Sequence, residues 1–350
     1  MDGEELKKKT RIILVIVISA ILVLSIFTIL FTTLRSKNPF VTHDPIIIWT
    51  DEDYNFYNIP GEGTQDNPYI IENYNISTES GYGIFISDTT KYITIRNCYI
   101  NAHYDGIHIE NAAEKTILIE NNKCEYSQNG IAIIGSYYAK VINNTCENNY
   151  QNGISLHHSD YSSTADNNCN FNGNAGISVL RTYFATICNN NCSGNDFSGI
   201  YSKYGYNFTI SNNYCGSNEF GLSFSYSEII QICNNRITEN LIGINFQAID
   251  NSTIWMNYFN ENVQYAVEIS IVSSDPGANC SYNVIYHNSF IDNNPRGFSQ
   301  AYCDFANNSW YEITLMEGNF WNDWLGGTYI IESPILIEDL YPLTESPHER

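Results

Sequence analysis

Residues 122–189 read as three lines of one pattern: NKCEYSQNGIAIIGSYYAKVIN (122–143), NTCENNYQNGISLHHSDYSSTAD (144–166) and NNCNFNGNAGISVLRTYFATICN (167–189). Each line opens on Asn, has Cys at its third position and reaches Gly at its ninth or tenth, followed by an apolar, a variable and a second apolar residue. Outward from this segment the small residue recurs as Gly83, Gly106, Gly130, Gly153, Gly176, Gly199, Gly221 and Gly243, with Ala266 in the same role. Gly297 follows after an insertion near Ser273–Asn279. The intervals are 22–24 residues as far as Ala266, then 31.

Behind each Gly the apolar residues alternate, as in Ile107 and Ile109, Ile154 and Leu156, Ile177 and Val179, or Ile244 and Phe246. Period two with β-branched side chains predicts a strand with one face on a core. A second short strand follows about ten residues on, as in Thr116–Glu120 and Thr209–Ser211. Two or three such strands cannot bury an apolar face alone, but coil stacked on coil they can. The expectation is an all-β solenoid of about ten coils of 22–24 residues over 45–343. At about 4.8 Å per coil it forms a rod of roughly 50 Å, with aromatic and irregular residues such as Trp321 and Trp324 covering its ends.

Two Asn columns support the stacking: Asn122, Asn144, Asn167, Asn190, Asn213, Asn235, Asn257 and Asn288, and then Asn149, Asn172, Asn195, Asn218, Asn240, Asn262 and Asn293. Inward amides repeated once per coil can hydrogen-bond to their copies above and below, so these are read as structural ladders. Cys124, Cys146, Cys169, Cys192 and Cys215 share a column that neighbouring coils fill with Ile100, Ile237, Phe259 and Phe290. A position open to Cys, Ile and Phe is a core position, so these read as buried thiols. Cys280 and Cys303 are the pair considered for a disulfide, and no Cys-His spacing indicates zinc.

Composition agrees. Of 350 residues 15% are charged and 43% apolar, and there are 47 Asn, 27 Tyr and 22 Gly, residues of turns and strands rather than helices. Residues 1–37 hold six of the 16 basic and three of the 38 acidic residues, leaving ten against 35, a net of −25, for 38–350. That field repels phosphate backbones and excludes nucleic acid as a partner; an acidic polysaccharide meets repulsion too.

Residues 12–34 are 23 almost wholly apolar residues, about 35 Å as a helix and enough for a bilayer core of about 30 Å. Lys7, Lys8, Lys9 and Arg11 precede this stretch. The expectation is an uncleaved signal-anchor: a cytoplasmic N-terminus (1–11), one transmembrane helix (12–34), a linker (35–44), an extracellular β domain and a tail (344–350).

The coils resemble the parallel β-helix repeats of the right-handed β-helix superfamily, the fold of pectate lyases and NosD-like periplasmic proteins. The flanking segments 61–72 (GEGTQDNPYIIE), 318–324 (GNFWNDW) and 340–343 (LYPL) resemble those of NosD-like archaeal surface proteins, and the likeness covers about 41–343. It implies a right-handed parallel β-helix. It does not fix an activity, because the superfamily holds lyases, hydrolases, epimerases and binding proteins.

A β-helix enzyme builds its site on the outward residues of the post-Gly strand. These bring His157, His158, Arg181 and Lys203 to one patch, a local reversal of charge. For a lyase or epimerase acting on uronate glycans, His157, Arg181 and Lys203 are the candidates for proton transfer and carboxylate neutralisation. The Asp ligands of a calcium site are missing from the same faces, and Glu110 has no partner in its column for hydrolysis. Seven residues after Gly a column reads Tyr137, Asp160, Tyr183, Tyr206, Glu228 and Asp250; its first four members, with Tyr201, Tyr204 and His158, are the candidate platform for stacking sugar rings. The resemblance to NosD implies copper handling, for which three Met and one close His pair are a poor set. Asn207 and Asn251 are the favoured glycosylation sequons. The reading is therefore a membrane-anchored, non-catalytic carbohydrate-binding or structural surface module without a cofactor. The alternatives are a uronate lyase or epimerase and, second, a copper maturation factor.

Overall fold

The computed structural model describes residues 40–275 and 277–349. The anchor proposed at 12–34 lies outside them, and among the described residues no helix is long and apolar enough to cross a membrane. Residues 42–349 form a parallel β-solenoid. One face is an eleven-stranded sheet from Ile46–Ile48 to Ala301–Cys303. A second is a ten-stranded sheet from Tyr69–Glu72 to Val284–Tyr286, and the third is carried by two five-stranded sheets. Isolated parallel bridges through Asn168 and Asn191 join the last two. One antiparallel pair, Tyr329–Ile331 with Ile337–Asp339, closes the C-terminal end.

The strand register is the sequence register. Ile107, Ile131, Ile154, Ile177, Ile200, Leu222, Ile244 and Val267 form one continuous inward row. All of them are fully buried. Gly is required beside them by close approach: a Cβ on Gly130 would sit 2.6 Å from the carbonyl oxygen of Gly153 and 2.9 Å from Cβ of Cys146. The Gly column and the Cys column are thus packed against each other. Beyond Ala266 the sequence reading slips. Val267 pairs with Ala301, so the residue in register with Ala266 is Gln300, not Gly297, because the added residues lie in the connecting loops.

Asn-Asn doublets divide two tasks. In Asn121-Asn122, Asn143-Asn144, Asn189-Asn190, Asn212-Asn213 and Asn234-Asn235 the first residue takes a left-handed turn conformation, with φ between 55° and 58°. Asn accepts that region more readily than most residues. The second points inward, where Asn144 Nδ2 donates to Asn167 Oδ1 at 3.1 Å, Asn167 to Asn190 at 3.0 Å, and so on to Asn288. Asn319 extends this first ladder and donates to the Asp339 carboxylate. The second ladder runs from Asn149 to Asn293 and ends on Gln300 Oε1.

The Cys column is fully buried. Hydrogen bonds from adjacent thiols and then burial push Cys124 and Cys215 up, while burial is the main cause at Cys169. All ten cysteines are free thiols, so the Cys280–Cys303 disulfide does not form. Each has an amide partner instead: Asn283 Nδ2 donates to Cys280 Sγ at 3.8 Å and Asn308 Nδ2 to Cys303 Sγ at 3.6 Å.

Candidate functional site

The turn between the eleven- and ten-stranded faces, 135–139 in one coil, carries a run of exposed aromatic side chains, Tyr137, Tyr161, Tyr183, Phe184, Tyr204 and Tyr206. His158, Arg181, Tyr204 and Tyr226 open it and Tyr138, Tyr161 and Phe184 close it, all with φ between 46° and 60°. Bulky side chains rarely accept this conformation, at a cost of about 1–2 kcal/mol each. Column packing offsets that cost. Tyr138 and Tyr161 stack with ring centroids 4.7 Å apart and 8° between planes, and Tyr161 and Phe184 at 4.7 Å and 6°. Lys115 Nζ covers the free face of Tyr138 at 4.7 Å, and Tyr206 meets Phe184 edge-on at 5.8 Å.

The stack therefore lies one residue along from the column named in the sequence. Tyr137 is separated by Asp160 from Tyr183, whose backbone N–H donates to the Asp160 carboxylate at 2.9 Å. Tyr183 and Tyr206 meet at 83°, so Tyr137, Tyr183 and Tyr206 form no flat platform. Tyr201 is partly buried against Phe197, and Tyr204 lies between Arg181, at 5.6 Å, and the stacked ring of Tyr226. The ring faces along this corner are turned toward one another, leaving edges and hydroxyls outward.

Beside the stack, on the ten-stranded face, is a groove of about 710 Å³. Its floor is the outward row Thr94, Leu118, Lys140 and Ser163, in register over four turns. Lys115, Tyr138, Tyr161, Tyr92, Gln65 and Pro68 rim it. Sequence reasoning missed this groove because it searched the residues after Gly, whereas the floor belongs to the second strand of each coil.

On the eleven-stranded face, His157 and Lys203 are two turns apart with Leu180 between them. His157 and His158 have ring centroids 4.6 Å apart. Burial, then the charges of His158 and Arg181, hold His157 below the ordinary imidazole range. Arg181 and Lys203 both lie over Tyr204, and Lys203 also over Tyr226 at 5.5 Å. The outward neighbours in these rows, Ile134, Ser155, Ser178 and Leu180, include no carboxylate.

Two further clusters lie on this face. Asp105 Oδ2 is 2.7 Å from His108 Nδ1, and His108 Nε2, buried without a hydrogen bond, is 3.5 Å from Glu110. Tyr82 and Phe85 pack on the imidazole at 4.8 and 5.4 Å. Glu110, without a carboxylate partner in its column, has His108 beside it, while Asp105 stands on the other side of Gly106 and belongs to a third ladder with Asn129 and Asn152. Near the C-terminal end, Glu268 lies between Asn245 and Tyr302, and burial pushes its carboxyl up. Asn207, partly buried, and Asn251, exposed, occupy left-handed turn positions.

Among the described residues no group of three or more His, Cys, Asp or Glu could hold a metal ion. The thiols are core groups, and the His157–His158 pair has no third ligand.

The stacking of three parallel sheets is the architecture of a right-handed parallel β-helix. Residues 102–274 match the sequence profile of the family described as periplasmic copper-binding protein (NosD), and the chain is a NosD-like right-handed β-helix protein. Among solved structures, the periplasmic alginate epimerase AlgG is similar at a TM-score of 0.55 and 13% identity, over 77% of this chain and 84% of that one. The Azotobacter vinelandii mannuronan C-5 epimerase AlgE6 A-module is similar at 0.53 and 14%, over 75% and 76%. At these identities the likeness is one of fold. A search of curated proteins gave no significant match. The family description fits an extracytoplasmic β-helix protein, while the described residues do not fit the copper that it names.

Proposed function

We propose that the chain is a membrane-tethered, non-catalytic carbohydrate-binding module facing the cell exterior, with 12–34 as the tether and the groove beside Tyr138 and Tyr161 as the sugar site. The groove is the observation that carries this reading. Its volume suits a short run of sugar rings, and it pairs an apolar floor residue, Leu118, with hydroxyl, amide and ammonium groups at the rim. Tyr138 and Tyr161 would contribute ring edges and hydroxyls. None of the lining residues is Asp, Glu or His, so the groove offers no carboxylate or imidazole for acid–base chemistry. Tyr137, Tyr183, Tyr206, Tyr201, Tyr204 and His158 extend the same corner as secondary contacts.

The test is glycan-array binding by the full chain in detergent, beside Tyr138→Ala and Tyr161→Ala. Binding to at least one glycan class that both substitutions weaken is the expected result. Silence across the array would leave only a structural role. Product release from uronate polysaccharides that Arg181→Ala abolishes would move the function to the lyase or epimerase class. Protease shaving of intact cells should remove the β domain; protection would refute the topology.

A further inference from the structure

The groove reverses the charge of its surroundings. Residues 38–350 hold ten cationic side chains against 35 acidic ones. Lys91, Arg96 and Lys123 are taken up by carboxylates at 4.0, 2.7 and 2.7 Å. Arg181, Lys203 and Arg236 lie over aromatic rings outside the groove, and Arg296 is exposed away from it. Lys115 and Lys140 are both exposed and form no ion pair among the described residues, and both line this groove. Lys140 rises from the floor between Leu118 and Ser163, while Lys115 is held at the rim over Tyr138. No carboxylate lines the groove to neutralise them.

We propose that this groove selects glycans bearing carboxylates, uronic-acid sugars, over neutral ones. The proposal rests on the carbohydrate reading of the groove and adds the ligand's charge. The acidity of the whole domain does not oppose it at physiological salt, where exposed charges beyond a Debye length of about 8 Å are largely screened. On the groove lining itself the two ammonium groups carry the formal charge, with Glu114 and Glu120 just outside it, and each ammonium can donate charge-assisted hydrogen bonds to a carboxylate.

The experiment is titration of the full chain in detergent with tetragalacturonate and with its carboxyl-reduced counterpart. Lys115→Gln, Lys140→Gln and the double variant are compared with Tyr138→Ala. Both lysines are exposed, so the substitutions leave the core intact. Expected are tighter binding of the carboxylated oligomer, a loss of roughly five-fold per lysine, and a loss of preference in the double variant. Raising salt should weaken only the carboxylated ligand. Equal affinity for both oligomers, weakened by Tyr138→Ala and untouched by the lysine changes, would overturn the charge selectivity and leave the carbohydrate reading standing. No binding of either oligomer, with a silent glycan array, would remove both.

Discussion

The side-chain oxygen of Asn213 accepts two hydrogen bonds from one residue of the preceding turn, the backbone N–H of Asn190 at 2.9 Å and its Nδ2 at 3.0 Å. Asn213 in turn donates to Ile187 O, Ser211 O and Asn235 Oδ1. All of these groups but Ser211, which is partly exposed, are shielded from water, so removing the amide strands donors and acceptors on both sides. Each stranded group costs about 1–3 kcal/mol. Asn213→Ala should therefore lower stability by about 2–5 kcal/mol, read as a fall in thermal or denaturant midpoint, whereas substitution of the exposed Asn212 to Gly should change little. Equal midpoints for Asn213→Ala and the parent would contradict the ladder's energetic role.

The Gly column makes a second prediction. Gly130→Ala forces a methyl group to within 2.6 Å of the next turn's carbonyl, and no flexible side chain is there to move. The strain should cost about 1–3 kcal/mol. Cys146→Ala made together with it removes the sulfur but not the Cβ at 2.9 Å, so it should not rescue the variant.

Thiol labelling distinguishes core from surface. Cys188 is the most accessible of the ten, and burial still pushes its thiol up. A water-soluble alkylating reagent should modify it first, slowly near neutral pH and faster as pH rises, since the thiolate is the nucleophile. The five column thiols should react only after denaturation. Intact mass without reductant should show no loss of hydrogen for a Cys280–Cys303 bond.

A pH-sensitive contact lies at the C-terminus. His348 Nδ1 is 2.9 Å from Ser289 Oγ and its Nε2 is 3.1 Å from Met256 O. Burial lowers its pKa below 6.5, against a smaller opposing effect of the Met256 carbonyl. The unfolded chain therefore binds the proton more readily than the folded one. The contact's contribution is present above about pH 6.5 and declines as pH falls through the lowered value. Amide protection in 346–349, taken relative to the intrinsic exchange rate at each pH, should fall on acidification, and His348→Ala should abolish that dependence.

Much of the fold was legible because a solenoid repeats its constraints. Gly, Asn and Cys recur at fixed spacing since the same carbonyl, turn and core position recurs in every coil. Legibility failed where the repeat changes: the step from Ala266 to Gln300 was assigned to Gly297 because loop residues carry no register of their own. The site was less legible. The column through Tyr137 differs by one residue from the stacked column through Tyr138, and period alone does not say which member of a Tyr-Tyr pair turns toward its copy. The groove is assembled from Gln65 to Ser163, a span over which no single coil signals concavity.

The two inward ladders donate in one sense along the chain, from each Asn to the next turn, whereas the ladder through Asn152, Asn129 and Asp105 runs the other way. Such a series always leaves a donor at its far end, which another Asn can only pass on. At Asn319 it meets a carboxylate: Asp339 Oδ2 receives the backbone N–H of Asn319 at 2.8 Å and the indole N–H of Trp321 at 2.9 Å, with no amide donor of its own to hand forward. That inward ladder is consequently a one-way series with a chemical stop, and a duplicated 23-residue unit could lengthen it if inserted before that stop but would have no partner to continue from beyond it.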